Sequence, residues 1–292
     1  MPWQAVVICG VFFVYCVAPI ILKRMVGLPS RTRRLTFQFL FCFILSAILL
    51  LVTRTPLTLG HTMLLVAGLG IANSFGAYAQ WRAMDISLSG TSLFTQADDL
   101  IAISLGLIIL GEGSLVKPVL LLGVALCLGG ALVFTVMRNR DKSQKGYPLK
   151  IFGWIAIYSV IWGVVGFAER YFALKGLTVF QFIFAWYGGS TIGSLLVAKL
   201  MGKAEAGKPL DLKAYGSVAI LSSVVILSMM LAYWAKIKAP IAVVQPIYQV
   251  GEMILPTIIG LWWFKEGKQL DLKGKLIFAA GIAGTLIIAL SY

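Results

Sequence analysis

The sequence predicts an all-α membrane protein: ten transmembrane helices forming two inverted five-helix repeats around a central cavity. Three observations carry this. Sixty per cent of the 292 residues are hydrophobic and only 12% are charged, against roughly 25% charged in soluble domains, and mean hydropathy is +0.93. Ten apolar segments occur, each close to the roughly 20 residues that a bilayer core of about 30 Å requires. Finally, an ungapped shift of 154 residues lays Asp98 on Glu252, Gly111–Gly113 on Lys265–Gly267, and Gly130 on Gly284.

Taken in order, the first span covers 3–22. Its apolar run is too long for a signal peptide and has no basic residues before it, so it reads as a span. The second covers 35–53. The third, 61–81, opens at the only histidine, His61, read as interfacial, and carries Gly68, Ala72 and Gly76 on one stripe suited to close helix packing. The fourth, 90–110, holds Asp98 and Asp99 near its head. The fifth, 116–136, contains Leu128–Gly130, similar in kind to the third span's stripe. The sixth, 151–172, carries Glu169 and Arg170 near its end, where they read as its exit toward a loop. The seventh covers 177–198, and the eighth, 214–235, includes Tyr233 and Trp234.

The ninth span, 240–263, is the unusual one. Pro240 suits a helix start, but Pro246 and Pro256 each remove an intrahelical hydrogen bond around Gly251. Backbone groups freed at membrane depth need protein or a wet cavity beside them. The expectation is a helix broken or bent between Pro246 and Pro256 that lines a cavity. The tenth span covers 274–291, with Gly281–Gly284 again suited to packing. All four cysteines, Cys9, Cys16, Cys42 and Cys127, fall inside spans and read as buried thiols.

The longest polar stretch, 138–150, divides the chain into a first unit, 1–137, and a second, 151–292. Five crossings return the chain to the opposite face, so the second unit is inverted relative to the first. Inverted repeats are a mark of secondary transporters, whose binding site lies at the repeat interface near the midplane.

Trp162–Gly163, followed by Arg170 eight positions after the Trp, resembles the opening of an EamA domain. The apolar run closing at Leu110–Glu112, with its counterpart at Glu266, resembles that domain's fourth helix. Two EamA-like units in tandem imply the drug/metabolite transporter superfamily, whose ten-helix members carry small metabolites. The first unit lacks the Trp-Gly pair. Where the family often has a proline near the start of the fourth helix, this chain has Asp99 and, in the second unit, Met253. Family substrates therefore do not carry over.

Candidate site residues come from polar positions deep in spans, which are costly there and functional by default. Gln245, Gln249 and Glu252 share a face of the ninth span at spacings of four and three, with Tyr248 beside them. Thr95, Asp98, Asp99 and Ala102 share a face of the fourth, with Gln96 nearby. Asn73, Tyr78, Tyr233 and Trp234 could complete a cavity. Asp98 and Glu252, matched by the repeat offset, rank above Asp99, which could instead cap the apolar stretch or meet a loop cation. Buried carboxylates without mid-span Lys or Arg favour a cationic or zwitterionic solute, such as an amine or amino acid, with aromatics and glutamines supplying further contacts. Such a pair is also a candidate for proton coupling.

The expected partners are thus a small-molecule substrate, the lipid bilayer and protons, in a monomer or homodimer in the cell membrane. The net charge of +14 does not imply nucleic acid, because Lys and Arg sit in short inter-helix loops. No cofactor or metal ligand set is expected, and no catalytic residue. One histidine rules out H-E-x-x-H, and adjacent Asp98 and Asp99 diverge by about 100° on a helix. A lipid or polyprenyl-carrier flippase of the same fold is the alternative. On orientation, only Arg54, Lys117, Arg170, Lys175, Lys236 and Lys238 of the 25 Lys and Arg residues fall on one side. The positive-inside rule then places both termini outside, opposite to the usual arrangement of ten-helix family members.

Overall fold

The structure, a computed structural model, describes residues 2–25, 28, 30–57, 60–88, 91–92, 95, 97–115, 149–201 and 212–265, with isolated positions between 118 and 133 and between 276 and 287. These residues form helices α1 (Trp3–Arg24), α2 (Arg31–Val52), α3 (His61–Ile86), α4 (Ala97–Ile109), α5 (Leu149–Leu174), α6 (Val179–Met201), α7 (Leu212–Lys238) and α8 (Ile241–Ile258). No strand occurs among the described residues. Among the described residues seven helices are long and apolar enough to cross a membrane, all but α4. The helix α4 is the described part of the fourth span, whose remaining positions are incompletely described. The fifth and tenth spans, the linker at 138–148, Cys127 and Glu266 lie outside the described residues or among isolated positions.

Polarity is distributed inside out. Large apolar side chains such as Leu51, Leu64, Ile108 and Leu212 are the exposed ones, while Asn73, Gln249, Asp99 and Glu252 are buried. Water does not favour so much exposed apolar surface; a surrounding of lipid does, and it also requires every backbone group to be satisfied within helices.

Helix α3 packs closely on α6, and α2 packs on α6 from the other side. The close approach is made by Gly70, beside the Trp186 and Ser190 backbone, and by Gly189 and Gly193, beside Ala67 and Ile71. The Gly68–Ala72–Gly76 stripe is therefore not the contact: Gly68 is exposed and has nothing near its missing Cβ, whereas Gly76 meets Ile161. The polar seam Asn73–Ser190 (3.2 Å) and Ser74 to the Ser190 carbonyl (2.6 Å) ties the pair together. Gly163 does the same for α5 and α4; a Cβ there would stand 2.8 Å from the Asp98 carbonyl.

Two helix irregularities bear on the site. In α1 the turn Phe13–Val17 is π-helical. Pro19 cannot donate to the Tyr15 carbonyl and would clash with it, so the turn before it widens; π-turns of this kind are frequent at functional sites. In α8 the helix runs without interruption through both Pro246 and Pro256, and the departure from α geometry comes later, as a π-helical turn at Ile259–Trp263. Of the expected break or bend between the prolines, the break is absent. Neighbouring helices surround α8, which supports a backbone that has lost two donors without requiring it to unwind.

Candidate functional site

A cavity of about 160 Å³ lies inside the bundle, about ten times the space one buried water needs. Residues from both sides of the 138–150 segment line it. Aromatic walls come from Phe39, Trp81, Trp162, Trp186 and Tyr187; Asn73, Gln38 and Gln80 add amides.

Its acidic pole is built where α4 begins. Asp98 and Asp99 occupy the first turn of α4, where unpaired backbone N–H groups and the helix dipole favour negative charge; the Asp98 carboxylate accepts the Asp99 N–H at 2.9 Å. Glu252, on the facing α8, brings a third carboxylate, and oxygens from all three lie within 4.8 Å of one another. Tyr15 and Tyr158 donate to the two Glu252 oxygens at 3.2 and 3.4 Å, and the Gln245 amide donates to Asp99 Oδ1 at 2.5 Å. All three acids are buried, and among the described residues no Lys or Arg forms an ion pair with them. At an effective dielectric near 20, each charged pair at such a separation repels by at least about 3 kcal/mol. A counter-charge, whether a ligand cation or protons, is a physical requirement of the site.

A second ionic group lies nearby and is balanced. Lys236, near the end of α7, pairs with Glu169 of α5, and both line the cavity. Arg170 pairs with Glu112 (2.9 Å) and donates to the Lys236 carbonyl (2.5 Å). The other Glu112 oxygen accepts the N–H of Ile241, the first residue of α8, at 2.9 Å. One carboxylate thus caps a helix start and holds an arginine at once.

Several expectations change accordingly. Glu169 is held inside the bundle by Lys236, and Arg170, half-buried one turn before the end of α5, reaches back to Glu112 and the Lys236 carbonyl and not toward a loop. Buried cations do exist, since Lys236 and Arg34 are both buried. Asp99 neither caps the apolar run nor meets a loop cation, but joins Asp98 and Glu252 with Gln245 as its donor. Of the remaining candidates, Asn73, Gln245, Tyr248 and Pro256 line the cavity. Gln249 is buried with neither amide atom hydrogen-bonded, and Gly251 lets α8 approach Val11 and Tyr15 of α1. Pro246 is not among the lining residues. Tyr78 packs edge-on against Trp154, Tyr233 donates to the Leu177 carbonyl at 2.7 Å, and Trp234 packs within the apolar core; these three serve the scaffold. Gln96 lies outside the described residues.

Sequence reasoning missed Tyr15, Tyr158 and Lys236. A tyrosine in the middle of a span, away from either interface, was the available signal for the first two. For Lys236 it was the connection to α8, too short to carry the lysine out of the bundle: only Ala239 and Pro240 separate Lys238 from Ile241.

No known family profile and no curated protein matches this chain. Solved structures do match. One, described only as "Crystal structure of protein", superposes over 99% of each chain with a TM-score of 0.70 at 14% identity. At that identity the likeness shows the fold alone.

Proposed function

We propose that the chain is a multi-pass secondary transporter of the cell membrane, with ten helices in two inverted EamA-like repeats. It carries a small cationic or zwitterionic metabolite, such as an amine or amino acid, by alternating access, with protons as the coupling ion. The observation that carries this reading is the buried cluster Asp98–Asp99–Glu252, unpaired by any described cation, whose Asp98 and Glu252 line an aromatic cavity. An ammonium group there would replace like-charge repulsion by attraction, and any aromatic ring of the cavity wall whose face it meets would add about 0.5–2 kcal/mol of cation–π attraction. Orientation with both termini outside is part of the proposal, and the ion-paired Arg170 and Lys236 leave the cation-poor face poorer still.

The test is ligand-dependent thermal stability of the purified protein over amines, amino acids and nucleosides, followed by flux of the hits into proteoliposomes across pH 5 to 8. Saturable stabilisation by an ammonium-bearing solute, lost in Asp98→Asn, supports the reading. Lipid scrambling without solute flux would contradict it and favour a flippase.

A further inference from the structure

We propose that Asp98, Asp99 and Glu252, together with the side-chain carbonyl of Gln245, form a binding site for a hard divalent metal cation of about calcium's size.

The donor set points to this class of ion. Every candidate ligand is an oxygen; no histidine or cysteine belongs to the cluster. Oxygen-only sets suit hard cations and not zinc or copper, which draw nitrogen and sulfur. Size follows from the spacing. A calcium-like ion with bonds of about 2.3–2.6 Å sits equally among three oxygens up to about 4.0–4.5 Å apart, so three carboxylate oxygens that lie within 4.8 Å of one another come within its reach after a shift of at most a few tenths of an ångström. Magnesium, with bonds of about 2.0–2.1 Å, has a shorter reach and holds its waters. Charge chooses the valence: a monovalent ion would leave two of the three carboxylate charges uncompensated, a divalent ion only one.

The carboxylates do not stand alone in this. Gln245 is more than nine-tenths buried, and its amide nitrogen is fixed on Asp99 Oδ1. Its carbonyl oxygen has no hydrogen-bond partner, nor does Asp99 Oδ2. A buried amide normally satisfies both ends. Here the nitrogen anchors the amide at the cluster, so the unused acceptor of the same amide stays beside the carboxylates, and Gln245 itself lines the cavity. An unused acceptor next to surplus negative charge accounts for itself when a cation sits between them. One turn along α8, Gln249 holds a second buried amide without partners.

The site shares its carboxylates with the proposed substrate site but requires no organic solute. Metal and ammonium would compete for the same oxygens, so that each excludes the other.

The experiment is thermal unfolding of the detergent-purified, chelator-treated protein, followed by the fluorescence of its eight tryptophans. CaCl₂, MgCl₂ and NaCl are titrated separately at constant ionic strength, without organic solute. The expected result is a saturable rise in midpoint with calcium, a weaker one with magnesium and none with sodium. Gln245→Leu keeps all three charges and should weaken calcium by about tenfold or more, as loss of a supporting group at a metal site does. The triple variant Asp98→Asn, Asp99→Asn, Glu252→Gln should lose the response. No saturable response to any ion means the cluster is neutralised by protons, and overturns the proposal. So does a response to sodium alone, or one that Gln245→Leu leaves unchanged. Calcium binding without any amine or amino acid binding would sink the transport reading and leave this one standing; the reverse outcome would spare transport and remove the metal.

Discussion

Two buried ionic groups sit in one bundle and obey opposite rules. Glu169–Lys236 and Glu112–Arg170 are neutral as a group, tied to each other through the Lys236 carbonyl and to the start of α8 through Ile241. Asp98, Asp99 and Glu252 bring three carboxylates together with only neutral donors, Tyr15, Tyr158 and Gln245. Burial costs each carboxylate several kcal/mol in either place. In the first group the protein supplies the compensating charge, so the group belongs to the scaffold. In the second it withholds it, so something else must arrive. Charge balance, more than burial or depth, separates architecture from site.

That difference can be broken most severely at Lys236. Lys236→Met leaves Glu169 buried without its partner and should destabilise the protein by about 3–5 kcal/mol, read as a large fall in unfolding midpoint in detergent. Lys236→Met combined with Glu169→Leu should restore most of the loss, because removing both charges also removes the desolvation cost. A harmless single variant would show that the pair is not part of the scaffold.

A smaller effect is expected at Glu112. Glu112→Ala removes both a charge-assisted bond to Arg170 and the cap on α8, together worth about 2–3 kcal/mol. Glu112→Gln should recover the cap but not the charge, and fall between the two.

The acidic cluster should respond in the opposite direction. Asp98→Asn or Glu252→Gln relieves repulsion, so the unfolding midpoint should hold or rise, while solute binding falls at least about tenfold, which is 1.4 kcal/mol. A midpoint that drops as far as it does for Lys236→Met would erase the distinction. Least affected should be Tyr158→Phe, which deletes one long hydrogen bond to Glu252 (3.4 Å) worth about 1 kcal/mol or less; Tyr15→Phe should match it within error in the same unfolding assay.

The helices were legible because long apolar runs are bounded by polar residues, and α2, α6 and α7 extend only a few residues beyond their predicted spans. Asp98 and Glu252 were legible through the 154-residue offset. Asp99 was ranked lower because its offset partner is Met253, a comparison that says nothing of the α4 first turn, where adjacent side chains can both serve one cluster. Tyr15 and Tyr158 lie 237 and 94 residues from Glu252, and Lys236 lies 67 from Glu169, so only packing brings them in. The prolines of α8 predict a break or a bend from local backbone chemistry alone; the surrounding helices keep the helix continuous through both.

The most direct test is solute charge against cluster charge. Thermal stabilisation is measured for an amino acid, its amine analogue lacking the carboxylate, and its acid analogue lacking the amine, on the wild-type protein and on Asp98→Asn. The expected result is stabilisation of the wild type by the two ammonium-bearing compounds only, and its loss in the variant. Stabilisation by the acid analogue alone, or an ammonium response that survives Asp98→Asn and Glu252→Gln unchanged, would contradict a cation-seeking site.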